Sequence, residues 1–286
     1  MASTEAAREH PLGPQHLAGC LALSQAANWN QNEADWRLML GFGRGYGVTL
    51  DDGTLAASTI TLPYGDRFAW VAMVLVLPEH RRKGYATRLL RRALAELDAA
   101  NRAAILDATP AGREVYAQEG FIDDWTFKRF SLRALNLIPN NRTPEVRAIE
   151  PRDWPAIEAL DIEAFGADRM NVLKNLADRL PRAALVCERA GEIAGFLLGR
   201  EGREARQLGP LVARDAVAAQ SLLAAGLAKV EAPLYLDLVD RESALGAWLE
   251  ALGFTFQRPF SRMVHGAQRA PGNASLVYCP AGPELG

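Results

Sequence analysis

The stretch LPEHRRKGYATRLL, residues 77–90, joins an apolar segment to a helical pattern through a cluster of basic residues. The segment before it, FAWVAMVLVLP (68–78), is almost continuously apolar and is typical of a buried strand. After the cluster, apolar residues recur at helical spacing over positions 89–97. A strand, a basic loop with one glycine and the start of a helix are therefore predicted to follow one another directly.

This basic loop has the composition of an anion site. The first amide groups of a helix lack intrahelical partners and lie at the positive end of the helix dipole, so a phosphate fits there. Gly84 is free to turn several amide groups inward, and Arg81, Arg82 and Lys83 add positive charge. The loop is therefore interpreted as a cradle for a diphosphate. The alternative is a solvated basic turn that merely precedes a helix.

Composition restricts the function classes. A length of 286 residues predicts two domains, and a net charge of -2 gives no reason to expect nucleic acid or an anionic membrane as partner. No stretch approaches the ~20 apolar residues of a membrane span, and no signal peptide is visible. Three distant cysteines without a CxxC pattern fit a reducing compartment, and the histidines share no metal-ligand spacing. We therefore expect a cytoplasmic protein without a metal.

The order of predicted elements repeats along the chain. The first half is predicted to contain a helical region, three strands, a helix, a strand, a helix and a strand, with GFGRGYG (41–47) as a flexible connector. NLIPNNRTPE (136–145) is polar, carries two prolines and is predicted to be a linker. The same order then returns, and a Gly-Phe helix stop recurs 133 residues later. Duplication of one α/β unit is predicted, with domains at 1–135 and 146–286.

Two motifs in the first half resemble those of one family. Arg81-x-x-Gly84-x-Ala86 after VLVLP resembles motif A of the GCN5-related N-acetyltransferase (GNAT) superfamily, whose loop binds the pyrophosphate of acetyl-CoA. LDATPAGREVYAQEGF (106–121) resembles the motif that follows in that family. The resemblance covers roughly residues 15–133. It implies an α/β (α+β) fold of two tandem domains, each a mixed, mostly antiparallel twisted sheet flanked by helices.

The tandem layout resembles a bacterial subgroup with one active and one degenerate domain. The second half has VARDAVAAQ (212–220) at the corresponding loop, which is shorter and carries one arginine and no glycine. Trp248 stands near the place that Tyr116 takes in the first half. The resemblance therefore implies that the second domain has lost the cradle for coenzyme A.

The resemblance also implies an activity and its residues. The chain is expected to be an N-acetyltransferase that moves an acetyl group from acetyl-CoA to a primary amine by direct attack in a ternary complex. Tyr116 would protonate the departing thiolate, and the backbone of Val74, Leu75 and Val76 would hold the pantetheine arm. The pyrophosphate would be held by Arg81, Arg82, Lys83, Gly84, Tyr85, Ala86 and Thr87.

The acceptor region is predicted from NWNQNEADW (28–36), which matches the segment that forms the acceptor site in the family. Trp29, Asn30, Gln31 and Trp36 would bind the amine, either a small molecule or a protein lysine. The alternative is one core tryptophan and a helix cap. Glu33, Asp35 and Asp66 are candidate bases, and the sequence does not choose among them.

Two other function classes are open to the sequence. A non-catalytic sensor or scaffold that binds acyl-CoA would need the same basic loop, and it is the alternative to the enzyme. A nucleic-acid binder is disfavoured by the net charge and by the absence of a wider basic face. The chain is expected to be a monomer or a weak dimer, because a tandem chain builds within itself what two single-domain chains build by pairing.

Overall fold

The computed structural model describes residues 7–134 and 145–286. The first half forms β1 (Ala7–Leu12), α1 (Leu17–Ala26), α2 (Glu33–Phe42), β2 (Arg44–Leu50), β3 (Leu55–Tyr64), β4 (Phe68–Val76), α3 (Tyr85–Ala99), β5 (Ala103–Ala108), α4 (Pro110–Gln118) and β6 (Ile122–Leu132). The second half forms β7 (Val146–Ala148), α5 (Trp154–Phe165), α6 (Met170–Arg179), β8 (Leu185–Arg189), β9 (Glu192–Arg200), β10 (Arg206–Ala213), α7 (Ala216–Lys229), β11 (Leu234–Val239), α8 (Ser243–Ala251), β12 (Thr255–His265) and β13 (Val277–Cys279). The predicted linker lies, apart from Glu145, outside the described residues.

Each half has the same order of elements, from a first short strand to a long last strand, and β13 is additional. The repetition agrees with the duplication that the sequence predicts. Three strands were not predicted: β1, β7 and β13. β1 and β7 lie at the two ends of the sheet, and β7 and β13 have only three residues each. Short edge strands carry too little apolar alternation to be recognised from sequence.

The two halves share one continuous sheet. Its strand order is β1-β2-β3-β4-β5-β12-β6-β11-β10-β9-β8-β7. The last strands are exchanged, so that β12 of the second half lies between β5 and β6, and β6 lies between β12 and β11. The fold class of mixed, mostly antiparallel strands flanked by helices is confirmed. The two long exchanged strands, β6 and β12, are each paired on both sides, so neither lies at an edge of the sheet.

The glycines of GFGRGYG do not form a flexible connector. α2 continues to Phe42, and β2 begins at Arg44. A Cβ at Gly45 would lie 2.8 Å from Cβ of Leu12, and one at Gly47 would lie 2.6 Å from Cδ2 of Leu12. Gly45 and Gly47 are therefore required for close packing of β2 against β1, which is a role that composition alone does not reveal.

The two faces of the sheet have different cores around β4 and β5. On one face α3 buries its apolar stripe, including Leu90 and Leu94, against Val71 and Leu106. On the other face Trp70 belongs to a large core that α1, α2 and α5 help to form. Burying each large apolar side chain contributes about 1.5–3 kcal/mol. Both faces hold β4 and β5 in place, and the space between these two strands is where the candidate site lies.

Within the described residues, no helix combines the length and the hydropathy that crossing a membrane requires.

Candidate functional site

A gap opens between β4 and β5. The two strands pair in parallel only from Phe68 to Trp70, opposite residues 103–105. Beyond Trp70 they diverge, while β4 stays paired on its other side with β3. The edge of β4 that faces β5 therefore has no ladder partner over residues 71–76. A cavity of about 410 Å³ fills the gap.

A β-bulge shapes this edge. Met73 has φ 52°, and the register between β3 and β4 shifts between Ser58 and Ile60. The Ser58 hydroxyl donates a 2.8 Å hydrogen bond to the Met73 carbonyl, which holds the bulge in a buried position. A bulge bends its strand and re-aims the residues that follow. Val74, Leu75 and Val76, predicted to hold the pantetheine arm, all line the cavity.

The basic loop lies directly after this edge. Gly84 has φ 81° and precedes α3, whose first turn has no side-chain cap. A Cβ at Gly84 would meet nothing within 4 Å, so its left-handed backbone, rather than lack of space, requires glycine. Arg82 is also left-handed, with φ 61°. The start of this 15-residue helix thus has no acidic side chain in its first turn to compensate the positive end of the helix dipole.

The predicted loop residues differ in their exposure and in their contacts. Arg81 lines the cavity and donates a hydrogen bond to the Val76 carbonyl at 3.4 Å. Arg82 is exposed, and the exposed Lys83 has its Nζ 3.2 Å from Nδ1 of His80. The ring of Tyr85 is buried in a small core. Ala86 and Thr87 lie in the first helical turn, where backbone amide groups have no intrahelical acceptor. Their short side chains add no charge, so these residues could contribute to anion binding through their amides.

Tyr116 lies on α4 and lines the cavity from the α3 side of the sheet. Its ring packs 5.9 Å from that of Phe121, centroid to centroid. A Cβ at Gly112 would lie 2.9 Å from a carbon of the Tyr116 ring, so glycine at this position gives the ring its place. Burial raises the pKa of Tyr116 to about 12, so the hydroxyl keeps its proton at neutral pH.

The predicted acceptor residues separate into two groups. Trp29, Asn30 and Gln31 line the cavity on the face opposite α3. Trp36 does not, contrary to expectation: it is fully buried in the core, and its indole donates a 2.7 Å hydrogen bond to the Ser24 hydroxyl. Apolar packing from α1 and β3 draws this ring inward, which is the core-tryptophan alternative that the sequence left open. The helix-cap alternative also holds, because Asn32 caps α2.

The loop between α1 and α2 is fastened to the second half through Asn30. Its amide nitrogen donates to the Ala205 carbonyl at 2.9 Å, and its oxygen accepts from the amides of Glu204 and Ala205 at 2.9 and 3.0 Å. The Arg203 guanidinium donates to the Trp29 carbonyl at 2.9 Å. One half of the molecule therefore fixes part of the cavity wall of the other.

Sequence reasoning missed several residues of the cavity wall, and six of them carry charge or come from the second half. They come from β5, from the exchanged strands β6 and β12, and from the segment after β13. They are Asp107, Arg129, Arg258, Phe260, Pro283 and Glu284. No motif connects residues so far apart in the chain, so only the strand exchange reveals them. By contrast, the candidate bases Glu33, Asp35 and Asp66 do not line the cavity.

Most charges in this wall are paired. Asp107 and Arg262 form a bidentate pair with two 2.9 Å bonds, and Arg129 and Asp237 form another with two 2.7 Å bonds. Glu284 pairs with Arg200 through one oxygen. Burial raises the pKa of the Asp107 carboxyl, and the Arg262 charge opposes that shift. Bidentate pairs fix geometry, so the wall is held rigidly around the cavity.

The corresponding region of the second half is closed. β10 and β11 pair in parallel at Arg206–Leu208 and diverge as β4 and β5 do, but β13 pairs with β10 in that space. The helix start is closed as well. Asp215 caps α7 by accepting a 2.8 Å bond from the Ala218 amide, and that bond lowers the pKa of the Asp215 carboxyl. An anion of the chain itself thus occupies the position that α3 leaves open.

Two sequence profiles match the chain. One described as "Acetyltransferase (GNAT) family" matches residues 17–121, and one described as "Acetyltransferase (GNAT) domain" matches residues 157–279. The uncharacterized N-acetyltransferase YitH of Bacillus subtilis is 24% identical over 244 residues, which cover 85% of this chain and 86% of that protein. Both halves of the chain are therefore similar to the same family.

Solved structures show the same fold. A putative acetyltransferase from Pyrococcus horikoshii superposes with a TM-score of 0.80 at 20% identity, over 98% of this chain and 96% of that one. A tandem GNAT protein from the clavulanic acid biosynthesis pathway superposes with a TM-score of 0.60 at 16% identity, over 94% of this chain and all of that one. The tandem arrangement of two such units is thus shared with a known structure.

Proposed function

The chain belongs to the GNAT family of acetyltransferases, and we propose that its first half moves an acetyl group from acetyl-CoA to a primary amine. One observation carries the proposal. An unpaired stretch of β4 and Arg81 of the basic loop border one cavity, and the uncapped start of α3 follows that loop directly. Acyl transfer is the activity class of the family. Donor, acceptor and mechanism are our proposals.

The residues present fit coenzyme A. The free edge of β4 at residues 74–76 offers backbone groups that match the two amides of a pantetheine arm. The amide groups at the start of α3, with Arg81 and Arg82 beside them, match a pyrophosphate. When bound, acetyl-CoA supplies a thioester carbonyl that an amine attacks directly. In this proposal the backbone amides of β4 donate to the carbonyl oxygen as negative charge develops there.

In this proposal one side chain acts as general acid and another as general base. Tyr116 donates a proton to the departing sulfur, since its raised pKa keeps the hydroxyl protonated and a free thiol has a pKa of about 8.5. Glu284 takes a proton from the substrate ammonium, and the neutral amine that results attacks the thioester carbonyl. Its Oε2 is buried at the cavity wall and has no hydrogen-bond partner among the described residues. Glu284→Gln would lower kcat at least about 10-fold, and unchanged kcat would remove this role.

In this proposal the second half does not bind coenzyme A. β13 takes the space between β10 and β11, and the Asp215 carboxylate takes the helix start. A pyrophosphate there would meet an anion instead of free amide groups. The second half instead supports the acceptor wall through the contacts of Asn30.

Calorimetric titration with coenzyme A tests the proposal, together with a thiol-release assay using acetyl-CoA and a panel of primary amines. We expect one coenzyme A per chain and thiol release with at least one amine. Two equivalents would contradict the assignment to the first half, and no binding would contradict the proposal altogether. Binding without thiol release from any amine would favour the acyl-CoA sensor over the enzyme.

A further inference from the structure

The acceptor side of the cavity holds one guanidinium without a carboxylate partner. Arg258 on β12 lines the cavity and is half-buried. Over residues 7–134 and 145–286, no carboxylate oxygen lies within 4.0 Å of its nitrogens, and no hydrogen bond from them is found. Its neighbour across the ladder, Arg129, is paired bidentately with Asp237. Burial, followed by the charge of Arg129, lowers the pKa of Arg258.

Arg258 lies on the acceptor face. Alternate residues of a strand share a face, so Arg258, Phe260 and Arg262 point to the same side of β12. The Arg262 guanidinium carbon lies 4.5 Å from the ring centroid of Trp70, in the core opposite α3. The loop that we assign to the coenzyme A phosphates precedes α3. Arg258 is therefore available to the amine substrate rather than to the coenzyme.

The charges of this wall do not balance without a ligand. Asp107, Arg129 and Glu284 each have an oppositely charged partner outside the cavity. Among the described residues, Arg258 is the cation on the acceptor side that has no such partner. A half-buried charge without a partner is costly, and an anion of the substrate relieves that cost.

The same wall presents two unsatisfied oxygens. Gln31 is 4% exposed and Glu284 is 2% exposed, and both line the cavity. Oε1 of Gln31 and Oε2 of Glu284 are buried and have no hydrogen-bond partner among the described residues. Such oxygens accept hydrogen bonds from an ammonium or amine group. Among the described residues, the acceptor side thus presents one unpaired cation and two side-chain oxygens that can accept hydrogen bonds from N–H groups.

We propose that the acceptor is a small amine that carries a carboxylate, which Arg258 binds while Gln31 and Glu284 face the amine. This inference rests on the proposed function and adds the substrate class. One unpaired guanidinium matches the single charge of a carboxylate and can donate two parallel hydrogen bonds to its two oxygens. A phosphate monoester carries about -1.5 to -2 at neutral pH and would leave charge uncompensated.

The first test compares thiol release from acetyl-CoA with matched amines. Each set contains an amino acid, its amide, its decarboxylated amine and an aminoalkyl phosphate. We expect kcat/KM to favour the carboxylate member at least about 10-fold. Arg258→Ala should remove that preference, and Arg258→Lys should restore part of it. Coenzyme A affinity should not change, and the surface variant Arg37→Ala should keep the preference.

The second test does not depend on turnover. The coenzyme A-loaded protein is titrated calorimetrically with N-acetylamino acids and their amides. We expect the carboxylates to bind at least about 10-fold more tightly than the amides in the wild type, and equally in Arg258→Ala. Equal affinity of carboxylate and amide in the wild type would overturn the inference, as would a preference for the aminoalkyl phosphate in the first test. Loss of coenzyme A binding would instead defeat the proposed function.

Discussion

The starts of α3 and α7 occupy corresponding places in the two halves, but different groups meet their free amides. Asp215 caps α7 and pairs with Arg189, so that helix start is satisfied from within the chain. Gly84 precedes α3 without any side-chain cap. A stabilised helix start cannot also bind an external anion, so the difference at one position separates a structural loop from a candidate site.

The gaps beside these helices differ in the same way. Between β4 and β5 the chain leaves a cavity, while between β10 and β11 it inserts β13. Both gaps arise because a parallel pair diverges after three paired residues. One fold therefore produces either a binding site or a packed core, depending on what the chain places in the gap.

The largest expected effect comes from removing the open helix start. Arg81→Ala combined with Gly84→Asp should weaken coenzyme A binding by about 100-fold or more, because a charge-assisted contact is lost and an anion is added. Calorimetry measures this loss. Arg214→Ala, in the corresponding loop of the second half, should leave the affinity unchanged. If the two variants weaken binding equally, the contrast between the halves does not hold.

The next effect concerns Tyr116 and the aromatic residue that stands near its place in the second half, Trp248. Tyr116→Phe should lower kcat about 100-fold at unchanged coenzyme A affinity, because the proton donor is lost. Trp248→Phe is the matched control and should leave kcat close to that of the wild type. Since the pKa of Tyr116 is raised to about 12, ionisation of this hydroxyl should not lower kcat below about pH 11. A fall in kcat centred near pH 10 that disappears in Tyr116→Phe would contradict the raised pKa.

A smaller effect is expected where one half supports the other. Asn30→Ala removes three hydrogen bonds to residues 204–205 and should cost about 1–3 kcal/mol of unfolding free energy. KM for the amine should rise several-fold, since the acceptor loop loses its anchor. Urea unfolding and steady-state kinetics measure both. Gln25→Ala, an exposed amide on α1, should change neither, and an unaltered KM in Asn30→Ala would show that the anchor does not position the acceptor wall.

The smallest effect is expected from removing the helix cap in the second half. Asp215→Ala uncaps α7 and should cost about 1 kcal/mol of stability. It should not create a second coenzyme A site, because β13 still fills the neighbouring gap. Thermal unfolding and calorimetric stoichiometry check the two expectations. A second equivalent of coenzyme A in this variant would show that the cap alone closes the second half.

Local patterns were sufficient to predict most elements. The apolar run of β4, the stripe of α3 and the Gly120 helix stop each follow from a few neighbouring residues. The same patterns misassigned GFGRGYG, because glycines required for packing look like glycines required for flexibility. Trp36 was misplaced for a similar reason: Trp29 and Trp36 lie in one short segment, and the local pattern does not reveal which of them faces the core.

The sequence by itself determined the repeated order of elements, the basic loop before α3 and the helix that carries Tyr116, since periodicity, caps and turns depend on residues close in the chain. Only the tertiary structure decided that β6 and β12 exchange places, that β13 closes one gap, and that Arg258, Gln31 and Glu284 meet at one cavity. Residues more than 200 positions apart become neighbours through strand pairing and charge pairing, and no local pattern encodes which strand will pair with which.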